Sequence, residues 1–241
     1  MEVAAGVRRL TMGVVNWYLV EEGGSFTAVD AGTPADWPLL VRTLEGAGLE
    51  RLEAVLLTHA HPDHMGFAER ARREAGATVR IHRGDADVAR GGRPGRNERG
   101  IAGYLGRPRF YRTLFSLLRR GAGKIIPVAE LSTFEDGEVL DVPGRPRVIH
   151  TPGHTPGSCV LWLEGRRALF SGDALVTSNP LTGRGGPQIM PAALNRDSRE
   201  ALASLSRLEA VAADLLLPGH GEPWREGLAE AVERARRAGI S

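Results

Sequence analysis

The stretch Thr58-His59-Ala60-His61-Pro62-Asp63-His64 places three imidazoles and one carboxylate within six positions, directly after the apolar run Ala54-Val55-Leu56-Leu57. The apolar run is typical of a buried strand, and the proline marks a tight turn at its carboxyl end. Imidazole nitrogens and carboxylate oxygens are the usual ligands of zinc and related divalent ions. Such a turn can direct the first two histidines toward one ion and the Asp63-His64 pair toward a second. The stretch therefore predicts a loop that supplies ligands to two adjacent metal ions.

Three later hydrophobic runs also end in turns that carry one metal-binding side chain each. His154 follows Arg147-Val148-Ile149, Asp173 follows Ala168-Leu169-Phe170, and His220 follows Leu215-Leu216-Leu217. All three turns are rich in glycine or proline, which permit tight or left-handed backbone and the crowding of groups around an ion. Four turns of this kind in one chain indicate a shared metal site.

In order and spacing these residues resemble the HxHxDH signature and the later ligands of the metallo-β-lactamase superfamily of metallohydrolases. The resemblance extends upstream to Asn16-Trp17-Tyr18-Leu19-Val20 and the Val29-Asp30-Ala31-Gly32 turn, and it runs from about Gly13 to about Pro223. It implies an α/β fold, the four-layer αβ/βα sandwich of two mixed sheets with helices outside, and a dinuclear site in the cleft at one edge. These motifs are specific for the fold and the metal site but not for the substrate.

The resemblance also implies seven ligands shared between two divalent metal ions. His59, His61 and His154 are assigned to the first ion, Asp63, His64 and His220 to the second, and Asp173 to the bridge between them. Zinc is the expected metal, with manganese and iron as alternatives, because this ligand set accepts all three. Two ions about 3.5–4 Å apart would activate a shared water as hydroxide and polarise the substrate's acyl or phosphoryl oxygen. Asp63 is in addition the candidate catalytic residue, as a proton acceptor during breakdown of the intermediate.

Other polar residues near the motifs are interpreted as supporting groups. Asp30 either accepts the second N–H of a ligand imidazole or simply forms the turn before Gly32. His82 and His150 lie at strand ends outside the ligand pattern, so we expect them to be structural or supporting. Cys159 lies in an apolar run and is expected to be a buried core thiol rather than a nucleophile.

Composition favours one compact domain that spans residues 1–241. The 42% hydrophobic content can fill a sizeable core, and the length lies within the single-domain range of layered α/β folds. No run of 18 apolar residues suggests a membrane span, and the amino terminus lacks the apolar region of a secretory signal. A single cysteine excludes an internal disulfide. We therefore expect a cytoplasmic protein.

Hydrophobic periodicity predicts strands and helices that alternate along the chain. The predicted strands are 13–20, 25–30, 53–58, 77–82, 147–150, 158–164, 167–172 and 214–218. The predicted helices begin at Asp36-Trp37-Pro38, after His64, at Asp197 with Glu200 three residues later, and at Glu222-Pro223. This order indicates sheets that are covered by helices.

Segment 83–124 lies outside the resemblance and carries eleven basic residues against three acidic ones. Apolar residues at 110, 114, 117 and 118 predict an amphipathic helix in its later half. We interpret the segment as a lid over the metal cleft that selects small, anionic substrates. The alternatives are an arginine-rich composition without a role, since Lys124 is the only lysine, and a contact in a homodimer. No nucleic-acid-binding module is recognisable, so nucleic acid is not the expected partner.

These observations predict a metal-dependent hydrolase that cleaves an ester, lactone or thioester of a small molecule. A phosphodiesterase or nuclease of the same fold is the first alternative. An iron-dependent persulfide dioxygenase with similar ligands is the second. A non-enzymatic scaffold is disfavoured because all seven ligand positions are filled.

Overall fold

The computed structural model describes residues 1–241, and most of its strands form two facing sheets. The first sheet has seven strands that pair in chain order: β1 (Glu2–Ala4), β2 (Val7–Thr11), β3 (Asn16–Glu22), β4 (Ser25–Val29), β5 (Leu52–Leu57), β6 (Thr78–His82) and β7 (Ser132–Phe134). The remaining strands are β8 (Arg147–His150), β9 (Cys159–Leu163), β10 (Ala168–Gly172), β11 (Val176–Ser178), β12 (Gly185–Gln188) and β13 (Leu215–Pro218). Four of them form the second sheet in the spatial order β13-β10-β9-β8, and β11 pairs with β12.

Six α-helices complete the fold. They are α1 (Trp37–Thr43), α2 (Ala68–Ala75), α3 (Ala86–Ala89), α4 (Pro108–Arg119), α5 (Ser198–Ser204) and α6 (Leu228–Ala238). Helices α1, α2 and α3 bury apolar side chains against the outer face of the first sheet. Helices α5 and α6 do the same on the second sheet. This arrangement is the predicted four-layer αβ/βα sandwich.

The strands of the central sheets bury side chains on both faces, which explains their unbroken apolar runs. In β5, Ala54 and Leu56 lie in the core between the two sheets, whereas Val55 and Leu57 pack under the helices. In β10, Phe170 lies between the sheets and contributes to the same inner core as Leu56. Because successive side chains of a strand point to opposite faces, alternate residues of one strand contribute to two different cores. Each strand therefore ends where its apolar run ends and the polar turn begins.

Backbone hydrogen bonds join the two sheets at the edge where the polar turns lie. The amide of Cys159 donates to the carbonyl of Thr58 at 3.0 Å, which links β9 to the end of β5. The amide of Asn16 donates to Gly219 O at 2.8 Å, which links the start of β3 to the turn after β13. Within the second sheet, the amide of Gly219 donates to Gly172 O at 2.8 Å. These contacts hold the turns after β5, β10 and β13 within one cleft.

All eight predicted strands are present, with differences at their ends. The strand predicted at 13–20 begins at Asn16, because Gly13 adopts φ +102° in a bend that returns the chain from β2. The last helix begins at Leu228 rather than at Glu222-Pro223. There Trp224 exchanges two backbone hydrogen bonds of 2.9 Å with Leu216, so the chain extends the sheet before it turns into α6. The helix that begins at Trp37 ends at Thr43, and strands β1, β2, β7, β11 and β12 were not predicted.

The segment 83–124 contains α3 and α4 joined by an extended stretch with one helical turn. The predicted amphipathic helix is α4, but its packed face differs from the expected one. Phe110 and Thr113 are buried, whereas Leu114 and Leu118 are 40% and 55% exposed. Spacing alone could not distinguish these faces, because apolar residues lie on both. None of the six helices is long and apolar enough to cross a bilayer.

Candidate metal centre

Seven side chains from the four polar turns meet in the cleft at one edge of the sheets. They form two groups, and within each group the ligand atoms lie within 4.8 Å of one another: His59, His61, His154 and Asp173 in the first, and Asp63, His64 and His220 in the second. Asp173 connects the groups, since its Oδ2 lies 3.5 Å from His154 Nε2 and 3.3 Å from His220 Nε2. Its Oδ1 lies 3.4 Å from His64 Nε2. The seven residues singled out from the sequence are therefore brought together.

The hydrogen-bonding state of these atoms tests whether the cluster fits metal ions. Buried nitrogen and oxygen atoms are almost always hydrogen-bonded, since an unpartnered one loses its interaction with water. Here His59 Nε2, His64 Nε2 and Asp173 Oδ1 are buried without any hydrogen-bond partner. All three point into the cluster, and all are of the donor types that divalent ions prefer. Hard and borderline cations would satisfy these atoms, so the donor set fits divalent metal ions.

The close approach of the turns depends on a glycine. A Cβ added to Gly219 would lie 2.6 Å from His64 Cε1 and would also collide with the carboxylate of Asp173. Both neighbours are held by the cluster itself, so neither could move away from a side chain at 219. The Pro-Gly-His turn after β13 is therefore needed to bring His220 beside Asp173.

Asp30 supports the second group directly. Its Oδ2 pairs with His64 Nδ1 at 2.8 Å and accepts from Thr58 Oγ1 at 3.0 Å, while its Oδ1 accepts from the amide of Thr58 at 2.8 Å. A carboxylate at this position fixes the Nδ1–H tautomer of the imidazole and leaves Nε2 free for an ion. Asp30 also adopts φ +60°, so it forms the turn as well. Both interpretations made from the sequence hold.

Two of the other ligand imidazoles are oriented by their second nitrogen in the same way. His154 Nδ1 pairs with Asn195 Oδ1 at 3.0 Å, and His220 Nδ1 donates to the carbonyl of Val14 at 2.7 Å. Asn195 is itself fixed, because its Nδ2 donates to Met190 O at 2.7 Å. No sequence motif marks Asn195, which lies 41 positions from its partner.

A buried carboxylate outside the cluster connects the loops that carry the ligands. Asp85 accepts from the amide of Ala60 at 2.9 Å, the amide of Gly157 at 2.8 Å and the hydroxyl of Thr155 at 2.7 Å. These partners lie in the two loops that supply the three histidines of the first group. Asp85 thereby holds the turn after β5 against the turn after β8. Sequence reasoning missed it because it lies in a helical turn with no spacing relation to the ligands.

The protonation of the cluster differs between its two groups. Burial, with the neighbouring imidazoles, lowers the pKa of His154 to about 3, so this ring is neutral. Burial also disfavours the charged form of His64, but the carboxylates of Asp173 and Asp30 outweigh it and raise the pKa of His64 to about 10. Burial would raise the pKa of Asp173, but the imidazoles of His220 and His64 hold it well below its ordinary value. Protons on the second group thus balance the buried carboxylates, and a metal ion would displace them.

A cavity of about 220 Å³ opens beside the cluster, and its walls are part polar and part apolar. Five cluster members form one side: His61, Asp63, His154, Asp173 and His220. The rest of the lining consists mainly of Leu117, Ala122, Leu181, Met190 and Leu194. Thr113 Oγ1 donates to Pro180 O at 2.7 Å and anchors α4 in this wall. Residues of the 83–124 segment therefore line the cavity beside the cluster.

A second, open groove of about 820 Å³ begins at the same edge and shares His61, Pro62 and Asn97 with the cavity. We call it the basic groove, because its walls contain five cations and one carboxylate: Arg93, Arg96, Arg99, Lys124, Arg196 and Glu98. The arginines of α4 do not belong to it. Arg107 and Arg112 are exposed, and Arg109 lines a separate polar cavity of about 370 Å³ on the other side of His220. The positive charge beside the cluster thus comes mainly from residues 93–99 and 124.

The remaining titratable residues near the site play no part in the cluster. His82 and His150 stack on each other with ring centroids 4.0 Å apart, and His150 Nε2 pairs with the carbonyl of Pro156 at 2.9 Å. Burial, together with the neighbouring His150, lowers the pKa of His82. Cys159 is buried in the core between the sheets, where burial raises the pKa of its thiol well above the ordinary value. It is a core thiol, as expected.

Comparison with known proteins identifies the family. The sequence profile of the metallo-beta-lactamase superfamily matches residues 10–220. This chain belongs to that superfamily. The Bacillus subtilis protein named "Probable metallo-hydrolase YflN" is 30% identical over 97% of this chain and 92% of its own length. The resemblance inferred from the HxHxDH signature is confirmed.

Two further similarities bear on the fold and on the chemistry of the superfamily. The crystal structure of a metallo-beta-lactamase family protein from Thermus thermophilus has a TM-score of 0.67 and 27% identity, and it matches 97% of this chain and 79% of that one. The atrochrysone carboxyl ACP thioesterase of Aspergillus fumigatus is 24% identical over 92% of this chain and 56% of its own length. The αβ/βα sandwich is thus confirmed, and the superfamily to which the chain belongs contains hydrolases with a divalent-metal site.

Proposed function

We propose that this protein is a two-metal hydrolase that cleaves the ester, lactone or thioester bond of a small molecule, with zinc as its natural metal. One observation carries the proposal: the ligand cluster, which contains buried and unpartnered donor atoms, borders a cavity whose remaining lining is mainly apolar. An apolar wall suits an acyl group, and the ligand cluster lies where the carbonyl of that group would be. The thioesterase among the similar proteins supports this chemistry.

The proposal assigns His59, His61 and His154 to one ion, Asp63, His64 and His220 to the other, and Asp173 to both. When bound, two divalent ions supply Lewis acidity and lower the pKa of a coordinated water. The chain's own contribution is geometric. Its supporting hydrogen bonds, such as Asp30 to His64 and Asn195 to His154, hold the ligand rings in fixed orientations before metal binds.

Asp63 is proposed to accept a proton during bond cleavage. Its Oδ2 lies 3.8 Å from His220 Nε2, and its side chain is 15% exposed, toward the 220 Å³ cavity. It is therefore the carboxylate of the cluster with access to a bound substrate, whereas Asp173 is 3% exposed. A general base must lie within reach of the proton that it removes, and the exposure of Asp63 beside the cavity supports this role.

We further propose that residues 1–241 act as one domain in the cytoplasm, with the 83–124 segment as its substrate-selecting lid. The lid proposal rests on Thr113, Leu117 and Ala122, which line the cavity opposite the ligands. Because the segment supplies no member of the cluster, its shortening within residues 91–122, which leaves Asp85 in place, should change substrate preference and leave metal content unchanged.

The second candidate is a phosphodiesterase, which the basic groove beside His61 favours, since phosphodiesters are anionic. One experiment separates the candidates: metal analysis of protein purified without chelator, followed by assays with thioesters, lactones and phosphodiesters. Zinc with acyl hydrolysis supports the main proposal, and cleavage of phosphodiesters alone would replace it. Iron with oxygen consumption on a persulfide would instead indicate a dioxygenase.

A histidine variant provides the matched test of the metal centre. His61→Ala should lose most metal from the first group and nearly all activity, because an imidazole ligand is removed. His150→Gln is the control for the same measurements, since His150 lies outside the cluster. Full turnover by His61→Ala would refute the two-metal proposal.

A further inference from the structure

We infer that the substrate is an acyl thioester or ester whose leaving part carries several negative charges, such as phosphates, and that the basic groove binds this part. The inference rests on the proposed acyl hydrolysis and extends it to the substrate class. It follows from three features of the groove: its charge, the absence of internal partners for that charge, and its position relative to the apolar cavity.

The groove carries a large positive charge in a small space. Its five cations and one carboxylate give a formal charge of +5 − 1 = +4. The carboxylate, Glu98, is engaged elsewhere, because it accepts from the amide of Ser198 at 2.8 Å. Like charges in one groove repel each other, so their concentration favours an anionic occupant that relieves the repulsion.

Most cations of the groove have no partners within the chain. The side chains of Arg93, Arg96, Arg99 and Lys124 form no salt bridge and no hydrogen bond, whereas other surface arginines, such as Arg9 and Arg72, pair with glutamates. Arg196 donates to the carbonyl of Gly95 and so shapes the groove wall. Four free cations in one groove are available for a ligand.

The position of the groove indicates which part of the substrate it would bind. The cavity and the groove meet at His61, Pro62 and Asn97, so one ligand of the cluster, His61, lies at their junction. The apolar cavity fits the acyl part, which leaves the groove for the other side of the scissile bond. Hydrolysis joins the oxygen of water to the acyl carbon, breaks the bond from that carbon to sulfur or oxygen, and releases the thiol or alcohol with a proton. The polyanionic part therefore leaves through the groove.

The first test measures binding without turnover. Adenosine 3′,5′-bisphosphate, a polyanion without a thiol or a scissile acyl bond, is titrated into the metal-loaded protein and into the Arg93→Gln/Arg96→Gln/Arg99→Gln variant. The dissociation constant should rise about tenfold in the variant, which corresponds to about 1.4 kcal/mol from three exposed charges. The control replaces three exposed arginines outside the groove and outside the 83–124 segment, Arg42, Arg73 and Arg199, by glutamine and so removes the same charge.

The second test compares two thioesters with the same acyl group. Hydrolysis of a butyryl thioester of coenzyme A should lose about tenfold in kcat/KM in the groove variant, and the corresponding N-acetylcysteamine thioester, which is neutral, should change much less. The difference should shrink at high salt, because the charges are exposed and are screened.

The outcomes separate this inference from the proposed function. Equal bisphosphate affinity in wild type and groove variant overturns the inference, whether or not thioesters are cleaved. Groove-dependent bisphosphate binding without acyl hydrolysis overturns the proposed reaction and keeps the polyanion site. An equal loss of bisphosphate affinity in the groove variant and in the charge-matched control overturns the assignment of the binding site to the groove, since the lower net charge alone would explain the loss. Cleavage of a DNA or RNA oligonucleotide that depends on the same arginines overturns the inference that the substrate is a small-molecule thioester or ester.

Discussion

Replacement of Asp30 by asparagine separates the charge of this residue from its shape. Asparagine tolerates the φ of +60° at this position better than most residues, so the turn should survive. The carboxylate accepts three hydrogen bonds, from the amide and hydroxyl of Thr58 and from His64 Nδ1. An amide has one acceptor oxygen, so either orientation sets its NH₂ group against a donor. The imidazole of His64 then loses its fixed tautomer or its fixed orientation.

The expected loss falls on metal affinity. Removal of a carboxylate behind a ligand imidazole typically weakens metal binding about 10–100-fold, or about 1.4–2.7 kcal/mol. The effect should be larger on the second ion than on the first, because Asp30 contacts His64 directly but reaches His59 of the first group only through the hydroxyl of Thr58. Asp30→Asn should therefore retain one ion at a chelator concentration that leaves wild type with two.

Competition with a chromophoric chelator measures the two affinities, and native mass spectrometry measures the stoichiometry. The matched control is Asp36→Asn, which removes another buried carboxylate that accepts from the amide and the hydroxyl of Thr33 at 2.7 Å and 2.6 Å. Asp36 is not a member of the ligand cluster, so its loss should lower stability without changing metal affinity. Wild-type affinity for both ions in Asp30→Asn would refute the supporting role of Asp30.

Three further predictions address the bridge, the loop clamp and the cavity. Asp173→Asn should lower the metal content from two ions toward one, because the ions lose the negative charge between them. Elemental analysis measures this content, and unchanged stoichiometry and rate would exclude Asp173 as the bridging ligand. Asp85→Ala should lower the free energy of unfolding by about 2–4 kcal/mol in urea titrations, since the amides of Ala60 and Gly157 lose buried partners; a loss below about 1 kcal/mol would contradict the clamp. Leu117→Trp should reduce kcat/KM about tenfold or more for long acyl groups relative to acetyl, since it narrows the cavity; an equal reduction for both would place the acyl group elsewhere.

The strands and the ligands were predictable from the sequence for the same physical reason. A strand buried on both faces requires an unbroken apolar run such as Ala54-Val55-Leu56-Leu57, and its end is marked by the first polar turn. The ligand His59 lies in that turn, two residues beyond the last strand residue. Local pattern therefore indicated both the element and the ligand that follows it.

The residues that hold the ligands in place could be predicted only in part. Asp30 carries a local signal, because it precedes Gly32 in a turn of the resemblance. Asn195 and Asp85 carry none, since they reach His154 and Ala60 across separations of 41 and 25 positions. Their contacts arise from the packing of the sheets, which no short pattern encodes. The predicted start of α6 was wrong for the same reason, because the pairing of Trp224 with Leu216 outweighs the local helix signal at Glu222-Pro223.

Helix α4 shows why the residues that line the substrate pocket could not be predicted from the sequence. Phe110, Leu114 and Leu118 have the spacing of one helical stripe, yet only Phe110 is buried. The packed face instead includes Thr113, whose hydroxyl donates to Pro180, and Leu117, which lines the cavity. The polar anchor could not be recognised from hydrophobic periodicity. Together with Phe110, which packs against Leu181 and Ala193, it holds the helix so that Leu117 lines the cavity while Leu114 is exposed. The side chains of α4 that can touch a substrate thus depend on contacts with residues about 70–80 positions away, which is why the ligand cluster was predictable and the substrate pocket was not.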